Sequence, residues 1–404
     1  VPPPALGGRT YAGPPLELSF WNGFTGGDGP HMRRLVEAFN ASHPRIRVRM
    51  SALRWDDFYR KVPVAVAAGK GPDVGVLQQH RLPAAAALGV VVPLDALLAE
   101  LGVAGGDFHP GAWAGGAHRG AHYGLPLDVH PLAMYFNRGA FARAGIREPP
   151  ETAEALEEAL GRLRHAGFRH PFWVPTLWPA HFMFASLLWQ FGGEPFGEDG
   201  RKATFASGAG VQAASFLRRL VREGHSPPAV ALDAQWNAFG NGTNAIAWDG
   251  IWMMHNVASV PGGAGVAPLP RIGPTPAVWA NAHHLVVFNR PRLEAHRVQA
   301  GAVFLAWLSE HSLAWAEAGQ LPARTAVRES PAFAALPVPS ALARQLPHVR
   351  MLPSAPGLGE LQDDTLLYAV DAALRTDAPG PVLARAARLA DDHLAALARQ
   401  YGEG

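Results

Sequence analysis

Between Leu16 and Leu77 the hydrophobic period of the chain switches repeatedly between two and 3.6, and this alternation constrains the fold more than any other feature of the sequence. Leu16-Glu17-Leu18-Ser19-Phe20 alternates apolar and polar as a half-buried strand does, and a Gly/Asp-rich turn follows at 23–29. Behind Pro30, residues Met32, Leu35, Val36 and Phe39 recur at i, i+3, i+4 and i+7, one apolar helix face that His43-Pro44 ends. Ile46 to Met50 alternates again, Trp55 to Ala68 predicts a second helix stopped near Gly69 and Gly71, and Asp73 to Leu77 predicts a third strand. Crossovers of this length join parallel strands, so the start of the chain predicts a β-α-β-α-β unit with helices on its faces.

The pattern loosens through the Gly-rich stretch 102–124, and Leu132 to Phe136 offers the next strand. Helices are predicted at Thr152 to His165, Pro179 to Phe191 and Ala209 to Glu223, which makes the middle of the chain a second α/β region. After the uncharged Gly/Pro segment 261–276, His284 to Phe288 reads as a buried strand and Glu294 to Glu310 as a helix; Thr365 to Arg375 and Gly380 to Arg399 are helical. At 404 residues there is room for two or three compact units, and no internal repeat has a fixed period.

Composition narrows the function classes. Apolar residues make up 48% and charged residues 17%, the profile of a globular chain, and the longest uncharged apolar stretch, 82–94, is too short to span a bilayer and is interrupted by Gly89 and Pro93. Net charge is +2 with no dense Lys/Arg block, so nucleic acid is not an expected partner. With zero Cys, disulfides, thiolate metal sites and Cys nucleophiles are excluded. Residues 1–15, from Val1, form a Pro/Gly-rich lead of the kind that tethers a domain, and a removed export signal would explain a start without Met.

Motifs for catalysis are missing: there is no G-x-S-x-G elbow, Walker A loop, H-E-x-x-H or EF-hand loop. Gly208-Ala209-Gly210-Val211-Gln212-Ala213 opens a helix but lacks the acidic residue a ribose contact needs, and reads as a plain helix start. His118 and His122 are four apart, yet the surrounding glycines point to a loop rather than a ligand-bearing helix. No catalytic residue, metal or cofactor is therefore assigned. The unusual feature is 12 Trp, several beside Asn, Asp, His or Gly at segment ends: Trp21-Asn22-Gly23, Trp178-Pro179-Ala180-His181, Trp248-Asp249-Gly250-Ile251-Trp252 and Trp279-Ala280-Asn281-Ala282-His283. A pyranose has an apolar C–H face and a rim of hydroxyls, and its site needs flat aromatic platforms beside amides, carboxylates, His or Arg.

In order and spacing, several stretches resemble one family, the extracellular solute-binding proteins of carbohydrate ABC transporters, maltodextrin-binding-like. They are FWNGFTGGDG (20–29), LVEAFNASHPRIRV (35–48), AAGKGPDV (67–74), VVPLD (91–95), YGLPLDVHPLAMYFN (123–137), FARAGIREPPET (141–152), FGNGTNAIAWDGIW (239–252), VAPLP (266–270) and GQLPAR (319–324). The resemblance implies a two-lobed periplasmic binding protein fold, type II-like, with discontinuous domains joined by hinge strands: an N-terminal lobe from 16–128 and 281–330, and a C-terminal lobe from 129–280 and 331–404. It implies a monomeric periplasmic or cell-surface protein that captures a mono-, di- or oligosaccharide between the lobes by hinge closure and delivers it to membrane permease subunits. Carried over by position, Trp21, Asn22, Asp28, Gln78 and His80 are the expected ligand contacts of the first lobe, and Asp128 and His130 are those at the first hinge. Trp178, Trp248, Asp249 and Trp252 are those of the second lobe, with Trp279 and Asn281 at the returning crossover and Arg324 as a forked donor; Asp73 is structural. The alternatives are a polyol- or glycerophosphodiester-binding protein, or a secreted glycosidase with Asp128 and Asp249 as its carboxylate pair.

Overall fold

In the computed structural model the described residues are 10–292 and 294–402; of the Pro/Gly lead, residues 1–9 lie outside them. The chain divides into two compact units. Unit 1 runs up to His130 and adds Asn281–Ser340 and Ser354–Gly357, while unit 2 takes Pro131–Ala280, Ala341–Pro353 and the chain from Leu358 onward.

Unit 1 is built on the predicted start. β1 (Leu16–Asn22), α1 (Gly29–Ser42), β2 (Ile46–Ala52), α2 (Trp55–Ala67) and β3 (Val74–Gln78) follow in order, and β1 pairs in parallel with both β2 and β3. The strand His283–Val287 enters antiparallel beside β3, with Leu285 opposite Val76, and Leu125–Pro126 pairs on its other side. The central place of β3 explains why its run Val74-Gly75-Val76-Leu77 is buried without alternation. α1 buries Met32, Leu35, Val36 and Phe39. Phe39 meets Phe304 of the helix Ala295–Glu310 at 4.8 Å, and Phe304 lies 5.2 Å from Phe20. Each such buried ring contributes roughly 2–3 kcal/mol by leaving water.

In unit 2, residues 132–136 of the strand Asp128–Asn137 pair antiparallel with Ile246–Gly250, Met134 opposite Trp248, and residues 134–137 pair antiparallel with Ala264–Ala267. The helix Ala180–Gln190 is buried along its whole length, which is why its sequence is apolar all round rather than on one stripe. Gly208–Arg222 and Leu367–Leu374 pack on it. The G-x-G-x-x-A string has a packing role: the Ser207 side chain accepts from Gly210 N, and a Cβ on Gly210 would stand 1.9 Å from the Phe205 carbonyl oxygen. His118 and His122, in unit 1, sit on a short hairpin, where His122 stacks on Trp113 at 4.0 Å. Among the described residues no helix is long and apolar enough to cross a membrane.

One ion cluster ties the unit 1 sheet to its neighbouring helix. The Asp73 carboxylate accepts from Ser19 N at 2.8 Å, Ser19 Oγ at 2.9 Å, and Arg297 Nε and Nη2 at 2.9 and 3.0 Å, with Arg290 Nη2 at 3.1 Å. Burial by itself would raise its pKa, but Arg297, Ser19 and Arg290 outweigh burial and hold the carboxyl below its ordinary range. A depressed native pKa stabilises the fold above the unfolded value of about 3.9, and that contribution disappears as pH falls through the native value. Asp73→Asn is therefore expected to cost about 2–4 kcal/mol at pH 7. In urea unfolding the gap to wild type should narrow as the pH is taken below about 3.9; a gap independent of pH would assign the loss to packing instead.

Candidate functional site

Because β1 and β3 are parallel, their carboxyl ends Asn22 and Gln78 lie at one edge of the unit 1 sheet, and the strand register sets His283 opposite Gln78. Ligands of open α/β sheets sit outside the carboxyl ends of the strands. There the rings form a column. Tyr59 stacks on Trp55 at 5.6 Å and 18°, Trp55 on His283 at 5.7 Å and 9°, and His283 on His130 at 4.2 Å and 30°. Phe24 stands edge-on to Trp55 and His283, while Trp55 and Tyr59 remain half-buried. Gly23 makes the arrangement possible, since a Cβ there would lie 2.0 Å from the Trp55 indole. The Tyr59 hydroxyl donates to Gln78 Oε1 at 3.3 Å and accepts from Gln78 N at 3.0 Å, and the Arg81 guanidinium lies 5.2 Å over the Tyr59 ring.

Behind the column is Asp128, with no exposure to water. Its carboxylate accepts from His130 Nδ1 at 2.9 Å, His283 Nδ1 at 2.8 Å, His283 N at 3.0 Å and Trp315 Nε1 at 2.6 Å. Burial favours the neutral acid, but the two histidines outweigh it and keep Asp128 ionised, while burial and the neighbouring His283 push His130 down to about 4. Asp128, His130 and His283 bring three ligand-type atoms within 4.8 Å of one another. With every lone-pair position of the carboxylate already filled by a protein donor, the cluster is a hydrogen-bond network rather than a metal centre.

Unit 2 carries a second aromatic wall. Trp279 stacks on Phe182 at 3.7 Å and 14°; the half-buried Trp252 stands at 86° to Trp279, 6.3 Å away, and the half-buried Trp178 is edge-on to Phe182 at 4.6 Å. Trp279 is held by its indole N–H on Gln362 Oε1 and by its main-chain N–H on Ser186 Oγ, both at 2.8 Å. Gln362 opens the π-helical turn Gln362–Leu366, a distortion frequent at functional sites. Gly250 repeats the role of Gly23: a Cβ on it would lie 2.1 Å from the Trp252 ring.

The expected contacts are therefore placed unequally. Gln78, His80, His130 and Asn281 gather at the unit 1 edge, where the Asn281 amide meets His80 Nδ1. Asn22 is fully buried and its Oδ1 accepts from Phe24 N at 3.1 Å, shaping the loop that brings Phe24 to the column. Asp28 sits at the start of α1, and Trp21 packs against the core of Phe58, Val62 and Leu77. Asp128 offers no oxygen, since all its acceptor positions are taken by protein donors. Trp248 is 1% exposed and packs on Phe172 at 5.1 Å because both faces of its strand are covered, so it is core and not a platform. Arg324 is spent within unit 1, over Phe108 at 4.7 Å and on Ser309 Oγ at 3.2 Å, and does not stand as a forked donor. Trp55, Tyr59, Phe24, Phe182 and Gln362 were not anticipated: Trp55 and Tyr59 lie within the helix predicted at Trp55 to Ala68, and only the fold turns them to the sheet edge. His283 stood in the stretch Trp279 to His283 without being singled out.

Residues 25–311 match the family described as bacterial extracellular solute-binding protein. The chain belongs to this family. A binding protein of Brucella abortus (strain 2308) is 24% identical over 255 residues, 58% of this chain and 60% of its own length, so the chain spans about three-fifths of the curated relatives it first matches. The maltotriose-binding protein of Pyrococcus abyssi is 22% identical over 350 residues, 85% of this chain and 74% of that one. The GacH receptor of Streptomyces glaucescens, whose structures include an unliganded form and a complex with acarbose, matches with a TM-score of 0.82 and 22% identity over 94% of this chain and 98% of its own. The fold is that of the solute-binding proteins, an α/β chain in two discontinuous units.

Asp249 gives the solute-binding chain a pH signature. Its carboxyl is 3% exposed and accepts from Gly250 N at 2.8 Å, and burial, reinforced by Asp233, raises its pKa to about 7 against the opposing pull of Gly250 N and Gln235. The native state then binds a proton the unfolded state releases above about pH 3.9, so stability falls as pH rises from about 4 to about 7. Asp249→Asn keeps the acceptor oxygen and removes the charge. Its melting temperature should lie above wild type at pH 8 and level with it near pH 4; parallel curves would show that Asp249 titrates as an ordinary exposed acid.

Proposed function

We propose that this chain is the carbohydrate-capturing component of an ABC importer, working outside the cytoplasmic membrane and passing its ligand to permease subunits. The observation that carries the reading is the recurrence, in each unit, of a half-buried tryptophan laid on a glycine, with fixed polar or aromatic groups around it. Indole faces accept the C–H face of a sugar ring, and the Gln78 amide, the His80 and His283 imidazoles and the Asn281 amide suit its hydroxyls. The names of relatives agree: maltotriose for the Pyrococcus abyssi protein, acarbose for the GacH receptor and diacetylchitobiose for DasA of Streptomyces coelicolor. Hydrolysis is disfavoured by Asp128, because a glycosidase needs two carboxyl groups able to reach substrate or water, and this one has no acceptor position left.

A thermal-shift screen of mono-, di- and oligosaccharides, polyols and glycerophosphodiesters tests the proposal. A ligand at about 100 times its Kd adds roughly 2.7 kcal/mol to the native state, a readily visible rise in melting temperature. A sugar should give that rise and be recovered unchanged; hydrolysed sugar would establish the glycosidase. Silence from protein unfolded and refolded free of carried sugar would remove the carbohydrate reading. With the hit in hand, Trp252→Ala and Gly250→Ala are each expected to weaken binding at least tenfold by calorimetry, while circular dichroism and the melting profile remain those of a folded chain. Undiminished affinity in both variants would take Trp252 out of the site.

A further inference from the structure

The histidines at the unit 1 edge report their own protonation pattern. Asp128 is ionised, and a carboxylate only accepts hydrogen bonds, so both ring nitrogens that reach it must carry hydrogen: Nδ1 of His130 at 2.9 Å and Nδ1 of His283 at 2.8 Å. The Trp315 indole N–H at 2.6 Å and the His283 main-chain N–H at 3.0 Å fill the remaining lone pairs and leave the carboxylate no freedom to rotate away. A neutral imidazole with hydrogen on Nδ1 bears its lone pair on Nε2. In water the opposite tautomer is the commoner one, so the protein imposes this choice. His283 retains 5% exposure, stacks on the half-buried Trp55 and lies opposite Gln78. Among the described residues, none hydrogen-bonds its Nε2.

We propose that Asp128 is a positioning residue that locks His283 and His130 as Nδ1–H tautomers, so that the unit 1 edge offers an imidazole lone pair to a hydroxyl donor and selects an uncharged sugar or polyol over an anionic one. The inference rests on the carbohydrate reading and names the class of carbohydrate. A hydroxyl approaching Nε2 of His283 donates its hydrogen. A carboxylate or phosphate oxygen brings only lone pairs, meets another lone pair, and lies near the buried charge of Asp128. The Trp55 face beside His283 is suited to an apolar ring surface.

Two measurements on the full chain test this at pH 8, where an ordinary imidazole is neutral. Long-range proton–nitrogen NMR on uniformly labelled protein should show His130 and His283 with hydrogen on Nδ1, and Asp128→Asn should move at least one of them toward the Nε2–H form. Calorimetry with matched probes (glucose and glucuronic acid, maltose and maltobionic acid, glycerol and glycerol 3-phosphate, together with maltotriose and diacetylchitobiose) should show a neutral probe bound at least tenfold tighter than an anionic counterpart. That preference should shrink in Asp128→Asn. His283→Asn serves as the second variant if Asp128→Asn does not fold; its amide N–H stands where Nδ1–H does and can still serve Asp128, so it should unfold cooperatively, and without an Nε2 lone pair it should lose the preference. Nε2–H signals in wild type, or an anionic probe bound as well as its neutral partner, would overturn the selectivity while leaving sugar capture standing. Nδ1–H signals with no neutral probe bound would overturn the carbohydrate reading, and the selectivity with it.

Discussion

A carboxylate cut off from water governs how unit 1 is assembled. Asp128 takes its four hydrogen bonds from three separate stretches of chain: His130 two residues on, both N–H groups of His283, and the Trp315 indole. A buried charge with one partner removed costs several kcal/mol, so none of these stretches can move off without leaving it uncompensated. Asp128 lies just before the chain leaves unit 1 after His130, and His283 just after it returns at Asn281. The covalent exits of the unit are thereby stapled at the point where its aromatic column begins. Phe24, packed on Trp315 at 4.7 Å and on His283 at 4.9 Å, transmits the same constraint to the loop after β1.

How much of this was readable in advance depends on the distance over which each feature is decided. The β-α-β-α-β start was legible because period and punctuation are local: Met32, Leu35, Val36 and Phe39 identify the buried face of α1 without reference to any other segment. The returning strand at His284 was legible for the same reason, although its antiparallel pairing with β3 was not. Side-chain roles were harder because burial is decided by neighbours far away in sequence. Trp248 and Trp252 sit in one short string, yet the first is covered by Phe172 and the second leaves its strand at Gly250 and remains half-exposed. Asp128 matched a ligand-contact position by its place in the chain, and only the arrival of His283 and Trp315 shows that its oxygens are occupied. Arg324 is a similar case, captured by Phe108 and Ser309.

Each unit solves the same problem of presenting a large ring without burying it. An indole lying flat on backbone needs a residue with no Cβ beneath it, and Gly23 under Trp55 and Gly250 under Trp252 supply that space. The unit 2 pair is visible in Trp248-Asp249-Gly250-Ile251-Trp252. The unit 1 pair is not, because Gly23 reads as one of several turn glycines and its partner belongs to the next helix but one. A ring fixed in this way on main chain gives up less freedom when a ligand covers it than one standing on a mobile side chain.

The two walls differ in composition. In unit 2, Phe182, Trp279, Trp252 and Trp178 supply ring surface, with Gln362 and Ser186 turned on Trp279 and His181 set against Trp178 and Phe182, 3.7 Å from Asp363. Ring surface rewards any apolar face and discriminates poorly among stereoisomers. In unit 1 the same kind of platform stands beside amides and imidazoles whose hydrogen positions are dictated by a fixed carboxylate. A wrongly oriented hydroxyl there leaves a desolvated polar group unsatisfied, a penalty larger than the gain from any one correct bond. On the proposed carbohydrate reading, the hydrogen positions that Asp128 fixes make the unit 1 edge the stricter of the two walls toward a sugar hydroxyl.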